Sequence, residues 1–242
     1  MVLCIEKHPH VANLGGFIPF SSVDWPGHFV AVVFIQGCPW RCHYCHNPHL
    51  QSRDHAQEKD QDDVPDPARL RWVDILDFLT SRQGLLDGVI FSGGEPFSEP
   101  MCNEMFAQVR ALGLKVGVHT AGMYPAKLSL VAAELDWVGL DIKTRPELYD
   151  ALTGRKNSAS PVWRSLEVLL QKQVDFECRT TWSPQWLDET QLIDLAQYLR
   201  DQGVRKYAIQ RYRSTTDRLF FAELSDPTIH LLGKLFEHFS YR

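Results

Sequence analysis

The chain has 242 residues, 44% hydrophobic and 23% charged, with a net charge of −5. That length is predicted to form one domain over residues 1–242, with one sizeable core and the composition of an ordinary soluble protein. A negative balance offers no basic face for nucleic acid, and no apolar run approaches the about 20 residues that span a membrane. Neither partner is expected. Met1 to His10 lacks the basic-then-apolar pattern of a signal peptide, which predicts a cytoplasmic chain whose thiols stay reduced and bind metal rather than pair.

Gly15 to Gly27 is rich in turn-forming residues and reads as irregular or briefly extended, with Asp24-Trp25-Pro26-Gly27 a turn into the first strand. Phe29 to Ile35 is continuously apolar and β-branched, the mark of a strand buried on both faces of a parallel sheet. From its end hangs Cys38-Pro39-Trp40-Arg41-Cys42-His43-Tyr44-Cys45, three thiols at C-x3-C-x2-C spacing, followed by His46-Asn47-Pro48. Such a loop can fold three thiolates around one metal centre. An iron–sulfur cluster held this way keeps one iron open, because no fourth cysteine is offered; zinc also suits soft thiolates, with His43 or His46 completing a Cys3His site. Cys4, Cys102 and Cys178 are scattered singly and read as small buried hydrophobes, so no second cluster is expected.

Ser52 to Pro67 is acidic and carries Pro65 and Pro67, which predicts a solvated, mobile loop long enough to touch a partner. From Arg69 the pattern turns helical, with Trp72, Ile75, Leu76 and Leu79 on one face and Gly84 as a stop. Gly88 to Ser92 is a second buried strand running into Gly93-Gly94-Glu95-Pro96. Pro100 to Leu112 is a helix whose stripe of Met101, Met105, Val109 and Leu112 is a core face. Lys115 to Val118 is a strand ending at His119-Thr120, Ala126 to Leu135 a helix, and Trp137 to Ile142 a strand ending at Asp141-Ile142-Lys143. Pro161 to Gln173 and Asp188 to Gln202 are helices, the second with Asp188 as N-cap. Val174 to Arg179 and Lys206 to Gln210 are strands, and Asp226 to Phe239 closes the chain as an amphipathic helix.

Six strand–helix units with short links imply a parallel sheet covered by helices, enough to close only part of an eight-unit barrel and leave one side open. Active residues of such barrels gather where strands end. The unusual polar residues fall there: the cysteines after strand one, Gly93-Gly94-Glu95 after strand two, His119-Thr120 after strand three, Asp141 and Lys143 at strand four, Arg179 at strand five, Arg211 and Arg213 after strand six. Asp141 and Lys143, two apart on a strand, point to one face.

The cysteine spacing with Tyr44 before the last thiol, then Gly93-Gly94-Glu95 after the next strand, resembles the radical S-adenosylmethionine (SAM) superfamily. Gly15-Gly16-Phe17-Ile18-Pro19-Phe20-Ser21, Asp24-Trp25-Pro26-Gly27, Gln36-Gly37-Cys38, Tyr44-Cys45-His46-Asn47-Pro48 and Leu140-Asp141-Ile142-Lys143 resemble glycyl-radical-enzyme activases, and among them the activating proteins of anaerobic ribonucleoside-triphosphate reductase. The resemblance runs from about Gly15 to about Arg213 and implies a partial (β/α)6 barrel of the TIM type. It implies a 4Fe–4S cluster on Cys38, Cys42 and Cys45 and SAM as cosubstrate, with no catalytic side chain beyond these. Backbone at Gly93 and Gly94 would approach the methionine portion of SAM, and Glu95 would pair with its ammonium. Tyr44 and His46 would lie against adenine, Asp141 and Lys143 would hold the methionyl end and ribose side, and Arg179 would support the carboxylate or ribose.

Two positions depart from that pattern. His119 stands where pyruvate formate-lyase activase-like proteins carry an aspartate for a monovalent cation, which puts the cation site in doubt. Arg213 aligns with a SAM-contacting histidine and could pair with a carboxylate instead. The implied partners are a glycyl radical enzyme, first an anaerobic ribonucleoside-triphosphate reductase, and an electron donor such as flavodoxin or ferredoxin. A barrel with no added domain over its open side suits a protein substrate. A radical SAM enzyme acting on a small molecule and a non-catalytic zinc module are the rival readings.

Overall fold

The computed structural model describes residues 11–53, 70–212 and 223–242. One sheet carries eight strands in chain order: β1 (Leu14–Ser21), β2 (Val30–Ile35), β3 (Gly88–Gly93), β4 (Lys115–Thr120), β5 (Trp137–Asp141), β6 (Phe176–Trp182), β7 (Lys206–Arg211) and β8 (His238–Tyr241). β1 runs antiparallel to β2, and every later neighbour is parallel. Helices α1 (Trp72–Thr80), α2 (Cys102–Ala111), α3 (Pro125–Val131), α4 (Tyr149–Thr153), α5 (Ala159–Lys172), α6 (Glu189–Asp201) and α7 (Asp226–Leu235) lie between or after them. The arrangement is an α/β partial barrel, and among the described residues no helix is long and apolar enough to cross a membrane.

Alternation along the strands explains the two layers. Ala31, Val33 and Ile35 of β2 join Val89, Phe91, Val116, Val118, Val138 and Leu140 in a large core under the helices. Val30 and Val32 face the other way and pack with Ile90, Trp137 and Trp25. α5 closes its part of the core with Val162, Leu166 and Leu169, and burial of each such side chain contributes about 1.5–3 kcal/mol. α6 starts at a capping box in which Asp188 accepts from the Gln191 backbone N–H at 2.8 Å and Gln191 accepts from the Asp188 N–H at 3.1 Å.

Several boundaries differ from expectation, and four of these differences bear on the sheet. The segment read as irregular or briefly extended holds the eight-residue β1, whose ladder with β2 is interrupted by two register shifts that blur its periodicity. Asp24-Trp25-Pro26-Gly27 is more than a turn: it carries Trp25, stacked on Trp137 at 5.6 Å, to the concave side of the sheet. The last helix stops at Leu235, and His238–Tyr241 forms β8, a seventh parallel strand; Leu232 and Phe236 continue the helical apolar spacing up to the junction, which hides the change. β6 runs past Arg179 to Trp182, because Thr180, Thr181 and Trp182 favour strand. Arg179 is therefore inside a strand, level with Asp141 of β5.

Candidate active site

β2 ends at Ile35, and the chain then turns sharply under tight restraint. Gln36 Nε2 donates to the carbonyls of His49 and Ser52, the Gly37 N–H to Leu50 at 2.8 Å and the Cys38 N–H to Gln51 at 2.9 Å. The other side of the loop is tied to α4: the Arg41 N–H donates to the Thr153 carbonyl at 2.9 Å and the His43 N–H to Leu152 at 3.3 Å. Trp40 is buried with its ring edge-on to Tyr149 at 6.2 Å. These anchors leave Cys38, Cys42 and Cys45 as half-buried free thiols lining one cavity of about 240 Å³. Burial pushes the Cys38 thiol up to about 12 and raises Cys42 as well, while Lys143 favours the thiolate of both.

The donor set fits an iron–sulfur cluster. Soft thiolates on a restrained loop are suitable ligands, and three of them face one cavity. Among the described residues no three His, Cys, Asp or Glu side chains are gathered to hold a single metal ion. A lone zinc needs its donors drawn to within about 2.3 Å of one point, whereas a cluster takes each thiolate on a different iron.

Gly93 and Gly94 line the cavity from the end of β3. Gly93 has φ +111°, and a Cβ there would stand 2.4 Å from the Ile35 nitrogen; one on Gly94 would stand 2.4 Å from the Gly37 carbonyl oxygen. The space is closed by backbone, since the Gly94 N–H donates to Ile35 at 2.9 Å and the Glu95 N–H to Gly37 at 3.0 Å. The glycines thus let β3 lie directly against the base of the cysteine loop, in addition to keeping their cavity side free of side chains.

Glu95 departs from its expected place. It is fully buried behind the lining, where Oε1 accepts from Thr120 Oγ1 at 2.7 Å and the Phe97 N–H at 3.2 Å, and Oε2 from the Ala121 N–H at 2.9 Å. Burial raises its carboxyl to about 7, against those three donors. Its carboxylate ties the end of β4 to the turn after β3.

Asp141, Lys143 and Arg179 do converge on the cavity. Arg179 grips Asp141 Oδ1 through Nη2 at 2.8 Å and Nε at 3.1 Å, and Lys143 Nζ stands 3.5 Å from Oδ2. Burial opposes the charge on Asp141, but Arg179 and Lys143 hold its carboxyl below the usual range. Burial likewise opposes the charge on Lys143, and the oxygens of Tyr44 and Asp141 outweigh it. Tyr44 stacks on Trp186 at 5.0 Å, with the Lys143 ammonium 5.5 Å over its ring; exposed His46 stacks on Tyr212 at 5.8 Å. Both line the cavity.

His119 also lines it, but its Nε2 donates to the Asp24 carbonyl at 2.8 Å; burial, helped by Arg179, lowers its pKa to about 3. A neutral ring fixed as a donor is a poor cation ligand. Arg211 turns aside to Glu223 at 3.8 Å and lies over the Tyr241 ring at 5.7 Å, while Arg213 lies outside the described residues. So does most of Ser52 to Pro67, and Cys4 with it. Sequence reasoning missed Thr181, Gln210 and Arg242, which complete the lining from β6, β7 and the residue after β8. Arg242 pairs with Glu177 at 2.6 Å, a contact 65 residues apart that carries no local signature. Cys102 and Cys178 are buried away from the loop, as their isolation predicted.

The description "Radical SAM superfamily" matches residues 32–182, more than half of the chain and the part that holds the cysteines, the glycine turn, Asp141, Lys143 and Arg179. A Methanocaldococcus jannaschii protein named for glycyl-radical enzyme activation is 26% identical over 208 residues, 83% of this chain and 80% of that protein. The pyruvate formate-lyase-activating enzyme of Listeria monocytogenes is 27% identical over 245 aligned positions, 92% of this chain and 94% of the enzyme. Streptococcus suis SuiB bound to S-adenosylmethionine shares the fold, with TM-score 0.60 and 14% identity over 86% of this chain; the chain spans about half of SuiB, 48%. With the cysteine loop on the first parallel strand of a partial barrel and the matched span enclosing the cavity, the chain belongs to the radical SAM superfamily of enzymes.

Proposed function

We propose that the chain is a glycyl-radical-enzyme activating enzyme that holds a 4Fe–4S cluster on Cys38, Cys42 and Cys45 and binds SAM in the same cavity. The observation that carries this is the placement of three restrained thiols and the Gly93-Gly94 turn at one mouth, with Asp141, Lys143 and Arg179 across from them. When bound, cluster and SAM supply one-electron cleavage of a sulfur–carbon bond and the hydrogen-abstracting radical that follows. The chain's own residues position and enclose. Gly93 and Gly94 leave room for the methionine portion against backbone. The Asp141–Lys143–Arg179 group presents fixed charges to the amino, carboxylate and ribose groups, and Tyr44 and His46 offer ring faces to adenine. Neutral His119 and buried Trp25 exclude solvent from the concave side. No side chain is required as general acid, base or nucleophile.

The relatives named as activating enzymes cover most of their own length with this chain, which supports a protein substrate with a glycine on a loop. The motifs around Gly15, Asp24 and Tyr44 favour anaerobic ribonucleoside-triphosphate reductase as that substrate, and a reduced cytoplasm as the setting. The test is anaerobic: cluster-loaded protein, SAM, a strong reductant and either the reductase or pyruvate formate-lyase, with EPR for a glycyl-radical doublet and assay of 5′-deoxyadenosine in one tube. A doublet on the reductase that disappears with Cys42→Ala is expected. A doublet on the lyase alone moves the partner, and deoxyadenosine with neither doublet discards a glycyl-radical substrate. Absence of both products from loaded protein overturns the reading.

A further inference from the structure

We propose that a groove on the outer side of the cysteine loop is where an acidic one-electron carrier protein docks to reduce the centre held by Cys38, Cys42 and Cys45. This rests on the function proposed above, which consumes an electron that must come from outside the chain. Cys38 lines both the inner cavity and a separate groove of about 420 Å³, so its residue is the wall between them. Arg41, Arg53, Ser98 and Tyr124 are among the residues that bound the groove, and among the described residues no carboxylate lines it.

Among the described residues, the cations at this groove are held in place by carbonyls rather than by carboxylates. Arg41 Nη1 donates to the Cys38 carbonyl at 2.6 Å and to Trp40 at 2.9 Å, and Arg53 Nη2 donates to Ser98. Lys127 Nζ donates to the Phe97 carbonyl at 2.6 Å and stands 5.1 Å over the Tyr124 ring. Arg155 follows Gly154, where a Cβ would stand 3.6 Å from the Arg41 Cβ, which sets it beside the groove's Arg41 side. All four cations are exposed. Among the described residues none of them forms an ion pair with a carboxylate, although the chain as a whole carries −5.

Carbonyl-anchored cations keep their full charge and a fixed position, which suits steering of an acidic partner more than tight binding. Encounters between redox proteins use small interfaces, below about 1,200 Å². A carrier seated here would face Cys38 while SAM and substrate occupy the inner cavity. In the step itself the carrier is oxidised by one electron and the cluster gains that electron, from the 2+ to the 1+ state; no atom is transferred.

Reduced flavodoxin is the probe, with photoreduced deazariboflavin as an uncharged reductant for comparison. Cluster-loaded wild type, Arg53→Glu and Arg155→Glu are followed at low and high ionic strength by the EPR signal of the reduced cluster and by 5′-deoxyadenosine. Among the described residues Arg155 makes no hydrogen bond to the cysteine loop, and its variant so guards against a folding defect in the other. With flavodoxin, each reversal is expected to slow cluster reduction by at least about tenfold at low salt, the lower end of what steering supplies, and high salt to slow the wild type similarly. With deazariboflavin the three proteins are expected to match. Equal slowing with both reductants, no slowing with flavodoxin in either variant, or weakened binding of the glycyl radical enzyme in place of slower reduction would overturn the proposal. Cluster reduction without deoxyadenosine would instead count against the proposed function, since docking is read by EPR alone.

Discussion

Replacing Glu95 by Gln separates a brace from a ligand. Among the described residues Oε2 accepts only from the Ala121 N–H, and Oε1 from Phe97 N–H and Thr120 Oγ1, which is itself engaged by the Gly122 N–H at 3.0 Å. Whichever way the amide is turned, its NH2 faces a buried donor, and one unsatisfied group costs about 1–3 kcal/mol. The pH dependence adds a signature. The folded carboxyl lies at about 7 against an ordinary 4.5, so the folded state takes up its proton first as pH falls. This contribution is fully present below 4.5 and is lost as pH rises through about 7. Between pH 8 and pH 5 the wild type should therefore gain about 2.5 kcal/mol relative to Glu95→Gln, whose amide does not titrate. Urea unfolding of both proteins at several pH values measures the difference directly, which cancels other titrating groups. SAM affinity of the cluster-loaded variant should stay near wild type at neutral pH. A pH-independent difference, or unchanged stability with lost SAM affinity, would refute the brace and return Glu95 to the ligand.

Gly94→Ala drives a methyl group into the Gly37 carbonyl and so into the root of the cysteine loop; it should cost about 1–3 kcal/mol in unfolding and reduce iron and sulfide content after reconstitution. Asp141→Asn removes the charge that Arg179, only 6% exposed, is bonded to. The loss should be about 3 kcal/mol, the low end for a broken buried pair because Asp141 is 30% exposed, and denaturant unfolding checks it. His119 has its folded pKa lowered to about 3 from 6.5, so its contribution is present above 6.5 and is lost as pH falls toward 3. At pH 5 that loss is about 2 kcal/mol, and it should vanish in His119→Asn, seen as a flatter stability curve between pH 7 and pH 5.

The strands that build the barrel were legible because each is a continuous apolar run bounded by turn residues. β2 to β5 lie within a residue or two of their predicted limits, since a strand buried on both faces leaves little ambiguity. β1 and β8 were not legible for the opposite reason. They lie at the sheet edges, with mostly intermediate or exposed residues, and neither has the apolar density that marks an inner strand. α4 is five residues long, too short for a periodic pattern, yet it supplies the carbonyls that hold Arg41 and His43.

For the site the division follows how far apart the partners lie. Cys38, Cys42 and Cys45 share one loop, and Gly93-Gly94 follow one strand, so spacing alone brings each group together. The position of Arg179 could be read only as a strand end, and it is the register of β5 on β6 that sets it level with Asp141. Glu95 shows the limit most clearly. An acid beside two glycines at a strand end looks the same in sequence whether its carboxylate turns toward the cavity or away. What decides is whether donors wait behind it, and here Thr120 and Ala121, about 25 residues on, supply them. A buried carboxylate with three donors is held by its scaffold, leaving the cavity to backbone at Gly93 and Gly94 and to the charged group across from them. The glycines and the acid of one turn thus do different work: the glycines admit backbone and ligand, and the acid fixes the neighbouring strand against which both must fit.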